Sequence, residues 1–139
     1  MTKTIVVDAS AAASWLLASQ STQASEALLL ELDDYRLAAP DIFQWELGNL
    51  LVRQARRDEG FEADEAHERL DDFQIELAPP LGRRQLRRLS ALAIQHGLTL
   101  FDTAYLWLAL GLDAAVASRD AQLLSAVSAA GQPVFDLRA

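Results

Sequence analysis

The run Thr4-Ile5-Val6-Val7 constrains the fold more than any other stretch, because it is β-branched and continuously apolar, the pattern of a strand covered on both faces. Such a strand needs helices above and below it. Apolar spacing predicts them from about Ser10 to Ala18 and from about Thr22 to Asp34, where Ala24, Ala27, Leu28 and Leu32 keep helical register. A short strand, Arg36 to Ala39, is stopped by Pro40. Asp41 is expected to cap a long helix through about Arg57, ended by Gly60, and another helix runs from about Asp64 to Glu76 until Pro79-Pro80 breaks it. Two more follow, from about Arg83 to Gln95, closed by His96-Gly97, and from about Phe101 to Leu110, almost wholly apolar and so central. A strand at Ala114 to Ala117, a helix from about Asp120 to Ala130, Gly131 and a last strand at Val134-Phe135 complete the pattern. Strands separated by helices in this order imply right-handed crossovers and a mainly parallel sheet covered on both faces. With 139 residues and no linker, repeat or low-complexity segment, one domain over residues 1–139 is expected.

Composition removes several function classes. The net charge of −8 denies the whole molecule any attraction to nucleic acid or anionic lipid, so contact with a polyanion must be local. The chain has no cysteine, hence no disulfide framework, thiolate nucleophile or cysteine-based metal site, which fits a reducing cytoplasm. The first apolar run is broken by Asp8, too early and too acidic for a secretory segment. The uncharged stretch Thr103 to Leu112 is half of the roughly 20 residues a spanning helix needs, so a cytoplasmic protein without a membrane partner is expected.

In open α/β sheets, ligands sit beyond the carboxyl ends of the strands, and acids recur there. Asp8 closes the first strand, with Ser10 two positions on; Asp120 follows the strand ending near Ala117, with Ser118 two positions before it. Asp102 is the only charged residue between Gly97 and Leu112, in the first turn of an apolar helix, where an unpaired charge is costly. Glu46, Asn49 and Arg53 share a helical stripe beside Phe43, Leu47 and Leu50. Each acid also has a plain structural use. Asp8, Ser10 or Asp120 can cap a helix, Thr99 to Asp102 has the form of a capping box, and Glu46 can pair with Arg53 on a wet edge. As a set, however, four converging carboxylates repel one another, and a divalent cation resolves the conflict. All-oxygen ligation suits Mg²⁺, or Mn²⁺ in its place, and disfavours metals that want His or Cys; His67, in an acidic helix, and His96, at a helix end, read as structural. Such a site is suited to phosphodiester hydrolysis.

Asp8 in VVDAS, Glu46 in WELGNLL, Asp102 in LTLFDTAYLWLA and Asp120 in ASRDAQLL, with Tyr105 three after Asp102 and Ser118 two before Asp120, resemble the four acidic motifs of PIN-domain ribonucleases, specifically VapC-type toxins of bacterial toxin–antitoxin pairs. The similarity spans essentially the whole chain. It implies a three-layer α/β/α sandwich with a mainly parallel sheet, an acidic Mg²⁺/Mn²⁺ pocket and endonucleolytic cleavage of RNA. A small antitoxin whose tail fills the pocket, and a homodimeric toxin, are implied as well. Carried over residue by residue, Asp8, Glu46, Asp102 and Asp120 would hold metal directly or through water, Ser10 and Ser118 would be polar helpers, and Asn49 a phosphate or outer contact.

Arg83, Arg84, Arg87 and Arg88 form one basic helix face in an otherwise acidic chain and, with Arg53, are candidates for contact with RNA or an acidic antitoxin strip, against the plainer reading of a solvated face. Trp15, Trp45 and Trp107 lie in apolar helices and are expected in the core or a dimer contact. Leu16-Leu17 and Leu28-Leu29-Leu30 supply more apolar surface than one stripe needs, the pattern of an antitoxin or self-association groove. Two other classes compete. A phosphoaspartate protein, receiver domain or dehalogenase-type phosphatase, also sets Asp at a strand end with Mg²⁺, but the latter wants a second acid where Ser10 stands and both want a lysine, of which the chain has only Lys3. The other is a catalytically inactive protein-binding module.

Overall fold

The computed structural model describes residues 2–139. Its centre is the strand foreseen from the apolar run, β1 (Lys3–Val7), where Ile5, Val6 and Val7 are wholly buried. β1 lies between β2 (Tyr35–Ala39) and β4 (Ala115–Ser118), with β3 (Glu76–Leu77) and β5 (Val134–Asp136) at the edges, and every pairing is parallel, in the order β3-β2-β1-β4-β5.

The chain first winds outward from β1 to β2 to β3, carrying α1 (Ala9–Leu16), α2 (Gln23–Leu29), α3 (Ile42–Arg57) and α4 (Ala63–Asp72). It then crosses back over the sheet to β4 through α5 (Arg83–His96) and α6 (Leu100–Leu112), and reaches β5 through α7 (Ala121–Ala129). Right-handed crossovers put α1 to α4 on one face and α5 to α7 on the other, which agrees with the packing of α1 on α3 and α4 and of α6 on α5 and α7. The result is a three-layer α/β/α sandwich. Because the winding changes direction between β1 and β4, their carboxyl ends border a crevice that no connection covers, the place where such folds bind ligands.

Each helix reaches the sheet through a patterned face. In α3, Phe43, Leu47 and Leu51 recur every four residues and are buried to 2% or less, each worth about 1.5–3 kcal/mol of burial. α1 is Ala and Ser up to Ser14 and ends on Trp15 and Leu16, and it is buried along almost its whole length. α5 ends on Gly97 at φ +66, a left-handed cap that glycine adopts without strain.

Several sequence expectations need correction. The helix expected from Thr22 to Asp34 is α2 alone; it closes at Leu30 and a 3-10 turn, Leu32–Asp34, feeds β2. The helix expected to reach Glu76 stops at Asp72, Gln74 turns the chain at φ 54, and Glu76–Leu77 pairs with β2 as an edge strand, where Arg36 Nη2 donates to both carboxylate oxygens of Glu76. Asp41 precedes α3 but makes no side-chain cap; its carboxylate accepts from Gln44 instead. Of the leucines suspected of lining a groove on the first two helices, Leu16, Leu17 and Leu28 are buried and Leu29 and Leu30 exposed, and Leu16, Leu17 and Leu29 line a pocket closed on its other side by residues of α3 and α4. Trp15 is a core residue whose indole N–H donates to the Ser25 carbonyl, whereas Trp45 stands 74% exposed. Among the described residues, no helix is long and apolar enough to cross a membrane.

Candidate active site

The β1–β4 pairing runs one residue past β1, because the Asp8 backbone N–H donates to the Ala117 carbonyl at 3.2 Å. That registers the Asp8 side chain beside Ser118. Both are buried, Asp8 to 6% exposure and Ser118 completely. Asp8 Oδ1 accepts from Ser10 Oγ at 2.7 Å and, as the cap of α1, from the Ala11 N–H at 2.8 Å, while Oδ2 accepts from Ser118 Oγ at 2.5 Å. The serines are fixed in turn: Ser118 Oγ accepts from the Asp120 N–H at 2.8 Å and Ser10 Oγ from the Arg119 N–H at 2.9 Å. Three donors nevertheless do not offset burial, which pushes the Asp8 carboxyl up to about 6, with Asp120 adding repulsion.

Asp120 caps α7, taking the Gln122 N–H at 2.9 Å. Asp102 sits one turn into α6, where Thr99 Oγ1 accepts its backbone N–H at 3.1 Å. Burial raises its carboxyl, and Asp120 raises it further. Glu46 projects from α3, half-buried, and accepts the Tyr105 hydroxyl at 2.6 Å on Oε1. Burial raises it above the ordinary range, opposed by that hydrogen bond and aided by the Asp102 charge. Electrostatic coupling therefore links Asp8 to Asp120, Asp120 to Asp102 and Asp102 to Glu46 around one region of the crevice. The pairing of Glu46 with Arg53 does not occur; among the described residues the ion pairs are Arg36–Glu76 and Arg138–Asp136, so none of the four acids is neutralised that way.

The capping roles weighed from sequence are thus real for Asp8 and Asp120 and coexist with membership of the acidic set. Ser10 and Ser118 both touch Asp8. Asn49 is exposed and lines a groove with Glu46, Trp45 and Phe101. Arg53, Arg83, Arg84, Arg87 and Arg88 are all exposed and make no ion pair among the described residues. Two residues outside the predicted set belong to the surroundings of the acids. Tyr105, noted in the sequence only as part of a motif, is the partner of Glu46, and the signal for it was a phenol on an apolar helix, whose polar tip must find a partner when buried. Arg119 contributes its backbone N–H to Ser10 and its guanidinium to Gln20, with Nε buried and unpartnered; position alone does not reveal it.

An all-oxygen, uncompensated acidic set has the chemistry of a hard-cation site. Among the described residues, no three His, Cys, Asp or Glu side chains close around one point tightly enough to hold an ion by themselves. A hard dication there would take one or two of these carboxylates and keep waters in the rest of its shell. Lys3 stands at the opposite end of β1 from Asp8, so the lysine that phosphoaspartate chemistry wants is missing from the crevice.

A family model described as PIN domain matches residues 5–129. Among solved structures, the chain is similar to PAE2754 from Pyrobaculum aerophilum, at 22% identity and a TM-score of 0.72 over 97% of this chain and 91% of that one. It is also similar to FitAcB from Neisseria gonorrhoeae, at 20% identity and a TM-score of 0.63 over 96% and 98% of the two chains. No curated protein matches its sequence.

Proposed function

Because the chain belongs to the PIN domain family, whose members are generally metal-dependent nucleases, we propose that it is a Mg²⁺-dependent endoribonuclease, the toxin of a bacterial type II toxin–antitoxin pair of the VapC kind, acting in the cytoplasm. The observation that carries this reading is the uncompensated run Asp8–Asp120–Asp102–Glu46 at the crevice between β1 and β4, three of whose members are pushed toward the protonated form. Capping accounts for Asp8 and Asp120 singly, but not for four acids brought within each other's field. A cation does, and Mn²⁺ is its natural substitute.

When bound, a hard dication supplies charge compensation for the phosphate and an acidified water. The residues of the chain do the rest. Ser10, Ser118 and the Ala11 N–H hold Asp8 in one orientation. Tyr105 holds Glu46. Glu46 and Asp102 are each half-buried, and burial raises the affinity of both carboxylates for a proton. Asp120 adds negative charge beside Asp8 and Asp102 while capping α7. Arg53 and the exposed face of Arg83, Arg84, Arg87 and Arg88 are the cationic groups proposed to meet RNA phosphates or an acidic antitoxin segment. The exposed apolar residues Trp45, Val52, Leu77 and Phe101 along the Glu46 groove suit contact with an antitoxin or a second copy in a homodimer.

The test is cleavage of single-stranded RNA by the purified chain with Mg²⁺, with Mn²⁺ and with a chelator, alongside Asp8→Asn and Asp102→Asn. Internal cleavage that needs the metal and disappears in both folded variants is expected. Cleavage that survives the chelator, or persists in both variants, overturns the reading.

A further inference from the structure

We propose that Tyr105 is a positioning residue of the site, its buried hydroxyl setting which oxygen of Glu46 faces the crevice; the proposal rests on the reading of the acids as metal-holding. Tyr105 is the largest fully buried side chain, at 1% exposure. Phenylalanine would fill the same space, and a core gains nothing from a hydroxyl that must be stripped of water. The oxygen therefore needs a reason beyond packing, and its geometry supplies one.

The hydroxyl donates to Glu46 Oε1 at 2.6 Å, joining α6 to α3, helices that pack on opposite faces of the sheet. A hydrogen bond this short to a carboxylate is of the strong, charge-assisted type. Tyr105 also lies three residues after Asp102, so both rise from the same face of one helix and a single rigid element sets Asp102 and the orientation of Glu46 together. Donors then decide which oxygens remain open. Asp8 Oδ1 already accepts two hydrogen bonds, from Ser10 and Ala11, and Oδ2 accepts one, from Ser118. Glu46 Oε1 accepts from Tyr105, and Oε2 accepts none from the described residues. Tyr105 thus leaves Glu46 with one oxygen filled and the other presented, whereas both oxygens of Asp8 are engaged by Ser10, Ala11 and Ser118. Outer partners of this kind carry roughly ten- to hundredfold of metal affinity.

Mn²⁺ alone, titrated by the paramagnetic resonance signal of the free ion, tests this on the wild type, Tyr105→Phe, Glu46→Gln and the double variant. Tyr105→Phe is expected to bind Mn²⁺ about tenfold or more weakly, to keep its melting temperature within a few degrees, and to lower kcat for RNA cleavage while leaving KM unchanged. The double variant is expected to lose no more than Glu46→Gln alone. An affinity for Tyr105→Phe within about twofold of wild type, or losses that add in the double variant, overturns the proposal and leaves the nuclease reading intact. Should Tyr105→Phe fail to fold, the Tyr105 Cζ carbon resonance of the wild type decides: it is expected to move as Mg²⁺ saturates the protein, and a stationary resonance overturns the proposal. A wild type that neither binds Mn²⁺ nor cleaves RNA overturns the nuclease reading, and this inference with it.

Discussion

Asp8→Asn should make the metal-free protein more stable at neutral pH while it removes activity. The carboxyl of Asp8 is pushed from its ordinary 3.8 to about 6, a value that already sets three hydrogen bonds against burial. At about 1.4 kcal/mol for each tenfold change in proton affinity, the charged form costs about 3 kcal/mol relative to the protonated one. The sign follows from the direction of the shift. An acid whose folded-state value is raised adds its full stability below 3.8 and has lost it once the pH rises through about 6. Asparagine has the shape of the protonated acid. Its oxygen can accept from Ser10 and Ala11, and its amide can donate to Ser118 Oγ once that hydroxyl rotates. Urea unfolding of both proteins in chelator, at several pH values between 4 and 8, measures the effect. The two should be close in stability near pH 4, the gap should open toward pH 6, and above it Asp8→Asn should lead by about 3 kcal/mol at most. Mg²⁺ should close the gap by stabilising only the wild type. A gap that does not change with pH, or an Asp8→Asn protein less stable than wild type at pH 8, would refute the argument.

Ser118→Ala removes the donor to Asp8 Oδ2 and the acceptor of the Asp120 N–H in a fully buried position, and should cost about 1–3 kcal/mol in denaturant unfolding at pH 7. Gly97→Ala forces a side chain onto a backbone at φ +66 with open space around it, so strain alone should lower stability by about 1–2 kcal/mol, read from the denaturant midpoint with an unchanged slope. Arg69, which donates to the carbonyls of Trp15 and Leu16 at the end of α1, satisfies two backbone groups that α1 leaves open; Arg69→Ala should cost about 1 kcal/mol and raise amide exchange in α1 first.

The architecture could be read from the chain because its signals are local. A β-branched apolar run, helices with apolar stripes and stop signals such as His96-Gly97 each act over a few residues, and their order implies a parallel sheet. What escaped reading depends on neighbours. Glu76–Leu77 is two exposed residues long and becomes a strand only because β2 offers a free edge there, so no burial pattern betrays it. The break after Leu29 likewise lies inside a stretch whose spacing stays helical. The acids divide in the same way. Asp8 and Asp120 follow strands that the topology sets side by side, so their closeness follows from the order of elements. Glu46 and Asp102 ride helices on opposite faces, and only the packed structure brings them within each other's field. The hydrogen bond from Tyr105 to Glu46 spans 59 positions, beyond any local pattern. Trp45 shows the opposite failure, an aromatic residue in an apolar helix that falls outside the stripe of Phe43, Leu47 and Leu51 and so faces water.

Crystals grown with Mn²⁺, measured at a wavelength where manganese scatters anomalously, would show whether the carboxylates gather around a cation. A peak is expected in the crevice between β1 and β4, in direct contact with a carboxylate oxygen of Asp8, Asp102 or Glu46, with waters completing its shell. No peak there at saturating Mn²⁺, or one bound only elsewhere on the surface, would mean that Asp8, Glu46, Asp102 and Asp120 are helix caps and chance neighbours rather than a metal centre.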